Sequence, residues 1–198
     1  MAKAQAVSQS DVSHQVAKAI LEFVGKIPAT HEPPNPTPHE RARAIASSAA
    51  LRASAASGTM SLPPGPAGLL LILPELVTVW RIQSQMVADI AGAFGKTGSL
   101  SREQMLYCLF KATAAQAVRD FVVRAGQRYV VQQTSMAVLQ AAVAKIGIKL
   151  SKKALAKAVS KALPVIGALG VAGYAYYDTA QVAATAIELF ETDIESPK

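Results

Sequence analysis

The 198 residues suffice for one domain with a real core, or for one domain carrying an extended arm. Only 17% of them are charged against 51% hydrophobic, a balance that leaves the surface poorly protected from association and points to an interface with lipid or protein. The single cysteine excludes an internal disulfide, and a net charge of +7 makes a lipid surface or nucleic acid the acidic partner to weigh.

Alanine is abundant and aromatics make up only 6%, which favours helices approaching through small side chains over strands covered by aromatics. The expected fold class is all-α: a compact bundle of about six to eight helices with a central kinked apolar helix and a C-terminal Gly-rich helix. A proline-rich N-terminal linker precedes it, dividing the chain into 1–38, a helix with its arm, and 39–198, the helical domain. The first residues, MAKAQAVSQSDVSHQVAK, lack a basic region followed by an apolar stretch, so the protein is expected in the cytoplasm or peripherally on the inner membrane.

From Asp11 to Val24 the residues Val12, Val16, Ala19, Ile20, Phe23 and Val24 recur at helical spacing, and Gly25 is placed to end that helix. Prolines at 28, 33, 34, 36 and 38 then remove backbone donors and hold the chain extended as an arm. Thr37, Pro38 and Glu40 read as an N-cap, a first-turn proline and the closing residue of a capping box. The helix they open runs to Ser57, with Ala42, Ile45, Ala46, Ala49 and Ala53 as its inner face and Gly58 as its C-cap.

Residues 61–95, SLPPGPAGLLLILPELVTVWRIQSQMVADIAGAFG, are entered through Pro64, Gly65 and Pro66, and Pro74 is expected to kink or restart the helix. Beyond it, a 100° projection gathers Glu75, Thr78, Arg81, Gln85 and Asp89 into one narrow polar stripe, a seam for an adjacent helix or water. The rest of the circumference, including Trp80, Val87, Ile90 and Phe94, marks a central helix buried on several sides.

Leu100, Ser101, Gln104 and Met105 form a hydrophobic staple around a capping box, opening a helix expected to run to about Arg124. A second helix is expected from Gln127 to about Lys145, with Gly147 near its end, and a basic amphipathic one from Ser151 to Leu163. The stretch from Leu163 to Tyr177 carries Gly167, Gly170 and Gly173 and no charge; it is shorter than the roughly 20 residues of a spanning helix, so a buried or re-entrant helix is expected, its glycines serving close packing.

No Asp or Glu lies between Phe121 and Tyr177, whereas Arg124, Arg128, Lys145, Lys149, Lys152, Lys153, Lys157 and Lys161 do. If one helix carries them, Lys145, Lys149, Lys153, Lys157 and Lys161 wind as a basic ridge beside an apolar face, suited to anionic lipid or to a solvated helix surface. The ridge lacks interleaved aromatics and base-reading side chains, so nucleic acid is not the expected partner.

Chemistry is not signalled. His31, Glu32, His39 and Glu40 lack the four-residue spacing of helical zinc ligands, and neither a nucleophile elbow nor a phosphate-binding glycine loop occurs. Cys108, between Tyr107 and Leu109, reads as an inert core thiol. No enzyme activity, metal or cofactor is expected.

The segments Leu62-Pro63-Pro64-Gly65-Pro66, Gly68-Leu69-Leu70, Leu73-Pro74-Glu75-Leu76, Trp80-Arg81-Ile82-Gln83 and Ala88-Asp89-Ile90-Ala91 resemble the EcsC family, as does Leu163-Pro164-Val165-Ile166-Gly167-Ala168. The resemblance spans roughly Ala42 to Phe190. It implies a bacterial helical protein, linked in a few cases to membrane transport and secretion, with no catalytic residues to carry over. The combined expectation is a non-enzymatic helical adaptor on an anionic membrane surface or a membrane protein. The alternatives are a soluble protein-binding module, such as a secretion accessory or immunity-type protein, and a carrier of an apolar ligand; a homo-oligomer is left open.

Overall fold

The computed structural model describes residues 9–57, 66–125, 128–159, 168–192 and 194–195. Among them the chain forms α1 (Gln9–Val24), α2 (Pro38–Ala56), α3 (Pro66–Ala93), α4 (Arg102–Val118), β1 (Val122–Ala125), β2 (Arg128–Val131), α5 (Met136–Val159), α6 (Ala168–Glu191) and β3 (Ile194–Glu195). The molecule is a helical bundle with one small sheet.

The buried side of α1 is Val12, Val16, Ala17, Ile20 and Val24, three and four residues apart, and it lies against α5. Contact is close enough that a Cβ at Gly147 would stand 2.7 Å from the Ser13 carbonyl oxygen. Gly147 therefore lies inside α5, where its missing side chain admits α1, and does not end a helix. The helix continues into the basic segment that the sequence reading set apart, making 136–159 one rod.

The thin face of α2 is largely as read: Ala42, Ile45, Ala49, Ala50 and Ala53 are buried against α3 and α6. Its cap differs. The Thr37 side chain makes no capping bond; its hydroxyl donates to Asn35 Oδ1 at 3.2 Å, drawn into the local turn of the arm. Gly58 lies outside the described residues.

In α3, Pro74 sits within a continuous helix and does not restart it. The Thr78 hydroxyl donates to the Pro74 carbonyl at 2.9 Å, and the helix beyond buries Trp80, Met86, Val87, Ile90 and Ala91. Trp80 meets Phe110 of α4 edge-on, centroids 5.8 Å apart.

Two polar contacts set the direction of α6. The Gln83 amide donates to Asp178 Oδ2 at 3.0 Å and Thr179 Oγ1 at 3.1 Å, and the Lys96 ammonium reaches the Thr192 carbonyl at 2.6 Å. The same advance along both chains means that α3 and α6 run parallel and begin at the same end of the bundle. His39, opening α2, touches Phe94 and lies 3.6 Å from Glu191, so α2 runs antiparallel to both.

The Ser101 capping box on α4 forms as expected, with both reciprocal bonds present. Its helix stops at Val118, and the helices expected up to Arg124 and from Gln127 are replaced by an antiparallel hairpin. Val122 pairs with Val131 and Arg124 with Tyr129, and Ile194 pairs with Tyr129 in a parallel third strand. The reason is local: Val122, Val123, Tyr129, Val130 and Val131 crowd the helical turn but suit a pleated surface. A distant downstream segment, Ile194–Glu195, not readable as a strand alone, completes the sheet.

Candidate functional site

The lysines of the ridge share one rod, but only some of their side chains are described. Lys145, Lys149 and Lys152 are exposed on α5; Lys153 and Lys157 belong to the same helix, and Lys161 lies outside the described residues. The described α5 sequence contains no carboxylate, and neither Lys145 nor Lys149 forms an ion pair with a described residue.

Across from Lys145 and Lys149, α4 loses helical geometry at Ala114 (φ −140°, ψ 45°). Where the two helices part, an open hollow of about 520 Å³ is lined by Ala114, Gln116, Ala117, Arg119, Lys145 and Lys149. Arg119 is 3.3 Å from Asp120, and both are well exposed. Spacing alone announced the two lysines; the break in α4 that makes a concavity opposite them has no proline or glycine to signal it.

The stripe on α3 divides. The Thr30 hydroxyl donates to Asp89 Oδ1 at 2.6 Å, and the Gln85 amide donates both to that oxygen at 2.9 Å and to the Ala29 carbonyl at 3.0 Å. Asn35 N–H reaches the Ala93 carbonyl at 2.9 Å, and a Cβ at Gly92 would stand 2.6 Å from the Glu32 carbonyl oxygen. The proline-rich arm is thus strapped along α3, and it fills the seam expected for a helix or water. Arg41 clasps Glu32 through two bonds of 2.7 and 2.8 Å, holding that carboxyl below its ordinary value. Glu75 is half-buried and Arg81 exposed; they take no part in the strap.

Pro64, Gly65 and Gly167 lie outside the described residues, Pro66 opens α3, and Gly170 is within α6. Gly173 is exposed, and among the described residues an added Cβ would meet nothing within 4 Å, so no described neighbour gives it the packing role expected of it. Instead Tyr174, Tyr176 and Tyr177 are 42%, 42% and 62% exposed, while Ala175, Thr179, Val182, Ala186, Leu189 and Phe190 are the buried side of α6. The glycine-rich helix was expected to be enclosed; its tyrosines at 174, 176 and 177 are not.

Two polar clusters escaped the sequence reading. One is the buried Gln83 clamp, legible as an amide within an apolar run. The other joins three elements: Tyr129 donates to Glu188 Oε1 at 2.5 Å, Lys111 to Oε2 at 3.0 Å, and Lys111 lies over the Tyr107 ring. No spacing could pair residues so far apart in the chain. Cys108 is buried, and its thiol is pushed up to about 12 by burial, which keeps it protonated and unreactive near neutrality.

Among the described residues no helix is long and apolar enough to cross a membrane, and no three His, Cys, Asp or Glu side chains gather as a metal site. Comparison with family models, curated proteins and solved structures finds no match for the chain.

Proposed function

We propose that the protein is a non-enzymatic helical adaptor that docks peripherally, end-on, at the anionic cytoplasmic face of a membrane. The observation that carries this reading is the parallel course of α3 and α6. It points two helix starts whose sequences, PAGLLLIL and ALGVAG, are apolar toward the same end of the bundle, and Tyr176 and Tyr177 are exposed on the second helix within three turns of its start. Tyrosine favours the zone between water and lipid, where its ring is dry and its hydroxyl wet. The acid-free α5 supplies cations, each contributing on the order of 1 kcal/mol near an anionic surface. The resemblance to the EcsC family, with its links to membrane transport and secretion, agrees with this role.

Co-sedimentation with phosphatidylcholine vesicles, with and without phosphatidylglycerol, tests the reading. Binding to the anionic vesicles that weakens with added salt, and that falls in the Tyr176→Ser/Tyr177→Ser double variant, is expected. Failure to sediment with either vesicle ends the membrane reading in favour of a soluble protein-binding module.

A further inference from the structure

The hollow between α4 and α5 brings Arg119, Lys145 and Lys149 around one open space. Lys145 and Lys149 are one turn apart on the same helix, a spacing at which like charges repel. None of the described lining residues is acidic; Asp120, next in the chain to Arg119, pairs with its guanidinium at 3.3 Å, and both side chains are largely solvated. A concave site with an excess of charge of one sign, here the two lysines and an arginine against one exposed carboxylate, concentrates counter-ions. Its small walls, Ala114 and Ala117, leave the room open, and Gln116 adds a neutral donor and acceptor.

The cavity, about 520 Å³, falls in the range of about 300–1,000 Å³ typical of small-molecule sites. Its chemistry is selective. One guanidinium from the turn after α4 and two ammonium groups from α5 match a tetrahedral dianion with several acceptor oxygens better than a planar carboxylate, which a single fork would satisfy. None of the lining residues is aromatic, so it offers no platform on which a nucleic-acid base could stack.

We infer that the α4–α5 hollow binds a phosphomonoester, with Arg119, Lys145 and Lys149 as its cationic contacts. The site stands without the membrane reading and merges with it only if the phosphomonoester is a lipid headgroup. A lipid such as phosphatidic acid and a free phosphorylated metabolite share this chemistry.

The full chain is titrated with glycerol 3-phosphate and followed by backbone amide NMR shifts. In parallel it is sedimented with phosphatidylcholine vesicles containing either phosphatidic acid or phosphatidylglycerol at matched surface charge. Shifts centred on 114–119 and 145–149 are expected. Lys145→Gln, Lys149→Gln and Arg119→Gln should each weaken glycerol 3-phosphate about tenfold, equivalent to about 1.4 kcal/mol, while Lys152→Gln, outside the hollow, leaves it unchanged. All three are exposed and should keep wild-type circular dichroism; if one unfolds, the other two decide.

A several-fold preference for phosphatidic acid that disappears in Lys145→Gln supports a lipid source, and glycerol 3-phosphate binding without that preference supports a soluble one. Absence of both overturns the site, as does equal weakening by Lys152→Gln and Lys149→Gln. Equal binding to both anionic vesicles with no glycerol 3-phosphate shifts removes the hollow but keeps the membrane reading. Glycerol 3-phosphate binding without any vesicle binding does the reverse.

Discussion

Glu188 gathers a tyrosine hydroxyl from β2 and an ammonium from α4 on its two oxygens, and these hold its carboxyl below the ordinary value of 4.5, the tyrosine bond foremost. Glu32 is lowered in the same direction by Arg41. A carboxyl lowered on folding contributes stability above its unfolded pKa and loses it as pH falls through the folded one. The melting temperature should therefore begin to decline below about pH 4.5, and Glu188→Gln should flatten that acid limb. Tyr129 moves oppositely: burial first, then Glu188, push it up from 10.0 to about 12, so its contribution is complete below the ordinary phenol value and is lost as pH rises from there through about 12. Ultraviolet titration of Glu188→Gln should find the Tyr129 phenol ionising at lower pH; an unchanged phenol would deny the coupling. Gly173 supplies the opposite kind of test. With open space around it on a helix, Gly173→Ala should stabilise by up to about 1 kcal/mol in denaturant titration, whereas a packing glycine would lose stability.

At the scale of elements, two glycines set how rods meet. Gly92→Ala drives a methyl into the backbone of the arm and Gly147→Ala into that of α1, so each should destabilise by about 1–3 kcal/mol. Because the Gly92 neighbour is the strap, that variant should also raise hydrogen exchange across residues 27–37; unchanged exchange would mean that the arm is held elsewhere. The cap of α4 is a separate lever. Ser101→Ala removes the side chain that accepts from the Gln104 N–H at 3.3 Å and should cost about 1 kcal/mol, measured by thermal unfolding. The hairpin shows where helical reading fails. A run containing Val122, Val123, Val130 and Val131 can be placed on a helix by hydrophobicity alone, but β-branched crowding and cross-strand pairing decide otherwise.

For the whole molecule, the parallel pair α3 and α6 gives the bundle two unlike ends. Toward one lie the helix starts; at the other Lys96 meets Thr192 and His39 meets Glu191. Such polarity favours end-on approach to a surface, and with net charge +7 the approach should slow as ionic strength rises. Stopped-flow binding to anionic vesicles at low and high salt measures it, and a rate indifferent to salt would argue against charge-guided docking.

The amino-acid pattern by itself determined the helical character, the thin face of α2, the Ser101 cap and the inert thiol, because each depends on neighbours within a turn or two of chain. The tertiary structure alone decided that the arm fills the Gln85–Asp89 seam, that Tyr129 finds Glu188, that Gly147 rather than Gly173 admits a neighbour, and that a cationic hollow opens opposite Lys145. These depend on which distant segments are brought side by side. Local propensity carries no information about that choice; it is made by fitting shapes and satisfying buried polar groups across the whole chain.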